Sequence, residues 1–257
     1  MMPERHAISD ENWEKIKDLL PGRPGQSGWT SEDNRLFIDA ILYLSKTGIP
    51  WRDLPERFGK WNSIWRRFDR WSRKGTWQAV FEALQDPDLE WFIMDSTIIR
   101  AHPAAAGAKK NPDGSGGQQD QELGRSRGGF GTKIHGAVNG LGLPVRLILT
   151  PGQDADVTHA KKLIEGIPFE IGIGDKGYDS ESLVDAIRRQ GGTAVIPSRK
   201  NKKTPRVIDG HLYKERNLVE RFWSKVKQYR RAATRYEKTA RNFLGLLHVV
   251  SIMILLK

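Results

Sequence analysis

The sequence predicts a mixed α/β (α+β) fold, a mixed sheet flanked by helices, preceded by a small all-helical, helix-turn-helix-like unit. Three observations carry this expectation. In the first third of the chain apolar residues recur at three- and four-residue steps, the period of a helix. From Glu90 to Pro197 short apolar and β-branched runs alternate with helical segments, the order of helices packed on a sheet. The most apolar stretch, Phe243 to Leu256, falls short of the roughly 20 residues that cross a bilayer and reads as a buried helix.

Taken in order, Ser9 is placed to cap a helix over Asp10 to Leu20, which Pro21 and Gly22 end. A second helix begins near Thr30 or Ser31, carries Leu36, Phe37, Ala40, Ile41 and Leu44 on one side, and stops at Gly48. The segment GIPWRDLPERFGKW then leads into a helix over Asn62 to Lys74. There Trp61, Ile64, Trp65, Phe68 and Trp71 form an apolar stripe, and Arg66, Arg67, Arg70, Arg73 and Lys74 occupy much of the rest. Such a helix either enters a phosphate-lined groove or presents a solvated basic face over an aromatic core. Residues 1–86 are assigned to this helical unit and 87–257 to the α/β part.

In the second part Glu90 to Ile99 is a strand. Residues 101–131, rich in Ala, Gly, Gln and Ser, read as a long mobile loop. Strands over Thr132 to Asn139 and Pro144 to Leu149 form a hairpin turned at Asn139-Gly140. A helix over Val157 to Glu165, capped by Asp156, precedes a strand over Glu170 to Gly174. A helix over Ser180 to Gln190, capped by Asp179 or Ser180, a strand over Thr193 to Pro197, and a basic loop over Ser198 to Arg206 lead to the last helices. No internal repeat is present.

Composition narrows the function classes. Of 257 residues, 38% are hydrophobic and 28% charged, and 42 Lys and Arg against 31 Asp and Glu give a net charge of +11. That excess points to a polyanionic partner, nucleic acid above all. The chain has no cysteine, which excludes disulfides, thiolate zinc sites and cysteine nucleophiles. A metal would be held by carboxylates or histidines, a set that favours Mg²⁺ or Mn²⁺. The N-terminal MMPERHAISDENW lacks the apolar core of an export signal, so a soluble, cytoplasmic protein is expected.

The candidate chemistry lies on acids. At about 100° per residue, Tyr213, Arg216 and Lys227 fall within roughly 40° of Glu220 on one helix side, with Leu218, Phe222 and Tyr229 opposite. One carboxylate among two cations and a phenol suits a metal together with a phosphate; Arg216 and Glu220 alone would be an i, i+4 ion pair. Asp95 and Asp175 each follow an apolar run, where an acid either ends a strand or projects into a site at the strand ends. If the two strands are neighbours, their carboxylates lie side by side, a repulsion tolerated when cations bridge them. Two strand-borne aspartates and a helix-borne glutamate can hold two metal ions about 4 Å apart for attack on a phosphodiester. Lys176, after Asp175, is open to a DNA or a solvent role. Arg125, Arg127 and Lys133, among glycines, suit a flexible phosphate-contacting loop. His135 either approaches the site or packs, and His102 is assigned no role.

These residues resemble a known family. The segments GIPWRDLPERFGKW, MDSTIIRAH, LGRSRGGFGTKIH, LTPGQDADV, GDKGYDS and ERNLVERFWSKVKQYRRAATRYEK are similar over nearly the whole chain to a bacterial insertion-sequence transposase of the DDE type, in the group typified by insertion sequence five. The spacing of Tyr213, Arg216, Glu220 and Lys227 matches that family's signature. The resemblance implies an RNase H-like catalytic domain with Asp95, Asp175 and Glu220 as metal ligands for Mg²⁺, two ions, with Mn²⁺ able to substitute. It implies binding of double-stranded DNA at terminal inverted repeats, cleavage there, and strand transfer by a freed 3′ hydroxyl into target DNA. Arg216 and Lys227 would contact phosphates near the scissile bond and Tyr213 would position or stack on an end nucleotide. A homodimer or larger assembly on DNA and a bacterial, nucleoid-associated location follow from the same likeness. The interval from Asp175 to Glu220 leaves no room for the large inserted domain of some relatives, and Asn139 stands where the family pattern favours Asp, outside the triad. Two alternatives share these residues: a metal-dependent nuclease without joining activity, and a catalytically silent, transposase-derived DNA-binding protein.

Overall fold

The Ser9 hydroxyl accepts the N–H of Asn12 at 3.3 Å and opens the first helix of this computed structural model, as expected of an N-cap. The structure describes residues 5–22, 33–85, 89–108, 117, 119–126 and 128–257. Helix α1 (Asp10–Ile16) runs into a 3₁₀ turn, Lys17–Leu19. Helix α2 (Asn34–Thr47) starts at Asp33, whose carboxylate accepts the Leu36 N–H at 2.8 Å; the starts expected at Thr30 or Ser31 lie outside the described residues. Gly48, left-handed at φ 74°, ends it as a glycine C-cap does. Helix α3 (Trp61–Arg73) is followed across Gly75 by α4 (Thr76–Ala83), which the sequence reading missed. Eight residues with no side-chain cap leave little local signal, yet Trp77, Val80 and Phe81 are buried.

Among the described residues the sheet has seven strands, β1 (Trp91–Ala101), β2 (Gly124–Ser126), β3 (Gly129–Val138), β4 (Pro144–Pro151), β5 (Ile171–Ile173), β6 (Thr193–Val195) and β7 (Thr234–Arg235). β1 is central. It pairs antiparallel with β3, which pairs antiparallel with β4, and it runs parallel to β5, which is parallel to β6. The order β4-β3-β1-β5-β6, with helices α5 (Asp156–Ile164) and α6 (Glu181–Arg189) in the connections, is that of an RNase H-like fold. The described ends of the expected mobile loop are pinned. The Thr132 hydroxyl donates to the Glu122 carbonyl at 2.6 Å, and Gln121 Oε1 accepts the Ala240 N–H at 2.9 Å. Residues 109–116, 118 and 127 of that loop, with the expected phosphate contact Arg127, lie outside the described residues.

Alternation along β1 sorts the core, because successive side chains point to opposite faces. Phe92 and Met94 join Leu163, Tyr178, Leu183 and Ile187 beneath the sheet, whereas Ile93 and Ile99 face the other side. On that other side lie α7 (Gly210–Lys214), α8 (Asn217–Lys227), α9 (Arg230–Ala233) and α10 (Ala240–Leu255). The buried α10 packs against both the sheet and the helical unit, so Phe37, Phe68, Trp71 and Trp77 belong to one core with Ile93, Phe222 and Leu246. Polar contacts cross the same junction. Asp69 on α3 accepts from Arg241 at 3.0 Å and from Asn242 at 3.1 Å, and buried Arg231 donates to the Ile49 carbonyl at 2.6 Å and pairs with Glu237 at 2.7 Å.

Candidate active site

Asp95 and Asp175 are brought level by sheet register. Ile93 pairs with Ile173 across parallel β1 and β5, and each aspartate stands two residues beyond. Asp175 accepts the N–H of Gly177 at 2.7 Å and so opens the 3₁₀ turn Lys176–Tyr178. Burial pushes the Asp95 carboxyl up to about 6; Arg216 and a backbone N–H from Ser96 pull it down, and the charges of Asp175 and Asp156 raise it again. Tyr178, fully buried below, has its hydroxyl raised well above the ordinary phenol by burial and then by Asp156, Asp95 and Asp175. Three acids therefore converge near the middle of β1, where Asp95 stands within the strand rather than at its end; the sequence reading named two of them for the site.

Glu220 comes from above. Arg216 donates to Glu220 Oε1 at 2.6 Å, and the same Nη2 stands 4.0 Å from Asp95 Oδ1, so one guanidinium bridges the helix acid and the strand acid. α8 reaches this close because β3 has Gly136 opposite Asp95: a Cβ there would lie 2.6 Å from the Trp223 ring. The sequence reading missed this pair, although an isolated glycine in a strand run signals a close approach. One predicted helix is corrected. Tyr213 lies on α7 and Glu220 on α8, with Glu215 and Arg216 in the turn between them, so the four signature residues do not share one helix. Tyr213 is half-buried against the main core, and Lys227 is exposed in the last turn of α8. Among the described residues no three His, Asp or Glu side chains stand close enough together to hold a metal ion. The pair Asp95 and Asp175 fits a hard cation by donor chemistry, and Glu220 is turned onto Arg216.

Of the two expected helix caps, one is corrected and the other falls to its second candidate, since Ser180 and not Asp179 is the N-cap residue of α6, without a side-chain hydrogen bond. Asp156 does not cap α5: Ala155 is the N-cap, and the Asp156 carboxylate turns to β1 and β3 instead. Asp179 does not cap α6; its buried carboxylate accepts from the Arg199 N–H at 2.7 Å and from Lys202 at 3.3 Å, and pairs with Arg206. His135 is packed rather than poised: Nε2 lies 2.8 Å from the Thr150 hydroxyl, and burial lowers its pKa to about 4. His102 stacks on Tyr236 with ring centres 4.8 Å apart.

The expected DNA-contacting cations divide. Arg66 and Arg70 on α3, Lys74 at its C-cap, Arg125 on β2 and Lys176 beside Asp175 are exposed. Arg67 turns inward over Phe37 at 4.2 Å and Trp71 at 4.8 Å, bonds Asn34, and is lowered by burial to about 10. Arg73 pairs with Asp69, and Lys133 donates to Asp156 at 3.0 Å and to the Asp154 carbonyl. Arg67 and Lys133 are committed to the fold, whereas Arg73 remains largely exposed beside Asp69.

Comparisons with known proteins identify the family. Residues 86–256 match the family described as "Transposase DDE domain", and residues 8–81 match "Putative transposase of IS4/5 family". A Brucella ovis protein named as a transposase for insertion sequence element IS6501 is 39% identical over 129 residues, 49% of this chain and 98% of that one. A protein of Sinorhizobium fredii, y4sN, is 41% identical over 42% of this chain and 86% of its own length. The piggyBac transposase synaptic complex with hairpin DNA superposes with a TM-score of 0.39 and 13% identity, over 77% of this chain and 48% of that one, too distant a likeness to carry a conclusion. The family match spans well over half of the sequence, and the chain belongs to the DDE transposases of the IS4/5 insertion-sequence group.

Proposed function

We propose that this transposase binds the terminal inverted repeats of its element as double-stranded DNA, cleaves there, and joins the freed ends to target DNA, with Asp95, Asp175 and Glu220 as the acting acids. One observation carries the reading: parallel β1 and β5 set two aspartates side by side, and Arg216 ties the α8 glutamate to the first of them. Transposases of this family work with divalent metal ions. Asp95, Asp175 and Glu220 would hold two Mg²⁺ ions, or Mn²⁺, which when bound activate an attacking oxygen and stabilise the leaving one.

The chain's own residues do the rest. Arg216 neutralises Asp95 and Glu220 while DNA is absent and offers its guanidinium to a phosphate when DNA arrives, an exchange of one oxyanion for another. Lys227, exposed on α8, takes the phosphate on the other side of the scissile bond, and Tyr213 positions the end nucleotide. The exposed cations Arg66 and Arg70 of α3, with Lys74 at its C-cap, hold the repeat DNA, with Arg125 and Lys176 on the catalytic side. We assign residues 1–86 to end recognition and 87–257 to catalysis, and expect two copies to act together on two ends. Asp95→Asn keeps the shape and removes the charge; it should abolish Mg²⁺-dependent cleavage of a labelled end and leave binding in a gel-shift assay within about twofold. Cleavage retained by that variant would remove Asp95 from the site.

A further inference from the structure

The Asp156 carboxylate is the acid that the catalytic reading leaves without a task. It lies beneath the sheet, on the face opposite Arg216. Phe92, Met94 and then Ser96 point to that face, so the residue next to Asp95 aims its hydroxyl at Asp156 and donates to Oδ1 at 2.7 Å. The same oxygen accepts from Lys133 at 3.0 Å and stands 3.7 Å from His135 Nδ1. Its other oxygen lies against the turn that follows Asp175: a Cβ on Gly177 would be 3.5 Å from Asp156 Oδ2 and 2.8 Å from Asp175 Oδ1. One side chain thus touches the residue after the first aspartate and packs on the turn after the second. Lys133, on the neighbouring strand β3, also donates to the Asp154 carbonyl, and Asp154 bonds His159 at 2.9 Å, so the start of α5 is itself fastened to the sheet.

We propose that Asp156 is a positioning residue that fixes the relative placement of Asp95 and Asp175 through Ser96 and the Gly177 turn, and so sets how tightly the pair takes a divalent cation. This rests on the reading of Asp95 and Asp175 as metal ligands. Partners that orient metal ligands are worth about 10- to 100-fold in affinity or activity when removed. A carboxylate whose only task is to offset the Lys133 charge would show no such effect once Lys133 is removed with it.

The test uses the full chain bound to end DNA, with Mn²⁺ binding read by electron paramagnetic resonance and cleavage followed against Mg²⁺ concentration. Asp156→Ala should bind Mn²⁺ about 10- to 100-fold more weakly and require correspondingly more Mg²⁺ for half-maximal cleavage, with end binding unchanged. Asp156→Asn, which keeps an acceptor for Ser96, should recover most of the loss. The double variant Asp156→Ala with Lys133→Met, free of the unpaired ammonium, should stay as weak as Asp156→Ala. Restored Mn²⁺ binding in the double variant, or unchanged binding in Asp156→Ala, would overturn the inference. Asp95→Asn run alongside separates the two failures. If it still binds Mn²⁺ as the parent does, the ligand assignment itself falls; if it loses Mn²⁺ while Asp156→Ala does not, only the positioning role falls.

Discussion

Gly136 shows what a single residue contributes to this site. It pairs with Asp95 across β1 and β3, and its missing side chain is the space into which the Trp223 ring fits, with Leu147 close behind at 3.1 Å from a built Cβ. Gly136→Ala should therefore lift α8 from the sheet at about 1–3 kcal/mol, the usual cost of an added methyl in a filled core. Denaturant unfolding would read that loss, and end cleavage should fall more than end binding, because Glu220 rides on the helix that moves and Arg216 immediately precedes it. Unchanged stability would mean that Trp223 does not occupy the gap. At this scale the sequence was informative where chemistry announces itself locally. Asp95 and Asp175 each follow an apolar run that must stop. Asp156 was misread because an acid at the start of a helix looks the same whether its carboxylate turns back to its own N–H groups or out to a neighbouring strand. Trp223 could not be matched to Gly136, since a glycine signals that something approaches without saying what.

Among the elements, α10 does most to join the molecule. It carries His248, which is 6% exposed and stacks on Phe81 of α4 with ring centres 5.2 Å apart and planes 16° from parallel. Burial lowers the His248 pKa from 6.5 to about 4, so the folded chain keeps it neutral where the unfolded chain would protonate it. Its stability contribution is complete above the unfolded value of 6.5 and is lost as pH falls through the folded value near 4. His248→Leu should then flatten the decline of unfolding free energy between those limits, measured by urea titration at several pH values; a slope equal to the parent's would contradict this. Element types were largely legible, because period and run length are local properties. Two misses have physical causes. α4 is short and uncapped, so only its burial reveals it. The predicted helix through Tyr213 and Glu220 breaks at Glu215 and Arg216, yet Arg216 keeps helical torsions immediately before α8, which is why its i, i+4 bond to Glu220 survives the break.

Over the whole molecule, the net charge of +11 overstates the surface available to DNA. Arg67, Arg231 and Arg235 spend their guanidinium groups inside, on rings, carbonyls and Glu237. The exposed cations include Arg66 and Arg70 on α3, Arg125 on β2, Lys176 beside Asp175 and Lys227 on α8. One continuous core runs from α2 through α10 to the sheet, so the N-terminal helices and the acids are held by the same packing, and the long-range contacts of α10 that join them leave no local trace in the sequence. The central claim is that Asp95, Asp175 and Glu220 act together to cut and to join DNA. The most direct test incubates the protein with a labelled repeat end and a supercoiled target plasmid in Mg²⁺ and separates the products on a gel. The parent should give label covalently joined to plasmid, and Asp95→Asn, Asp175→Asn and Glu220→Gln should each give neither cut nor joined product. Cut ends that never join, or joined product from any one of the three variants, would contradict it.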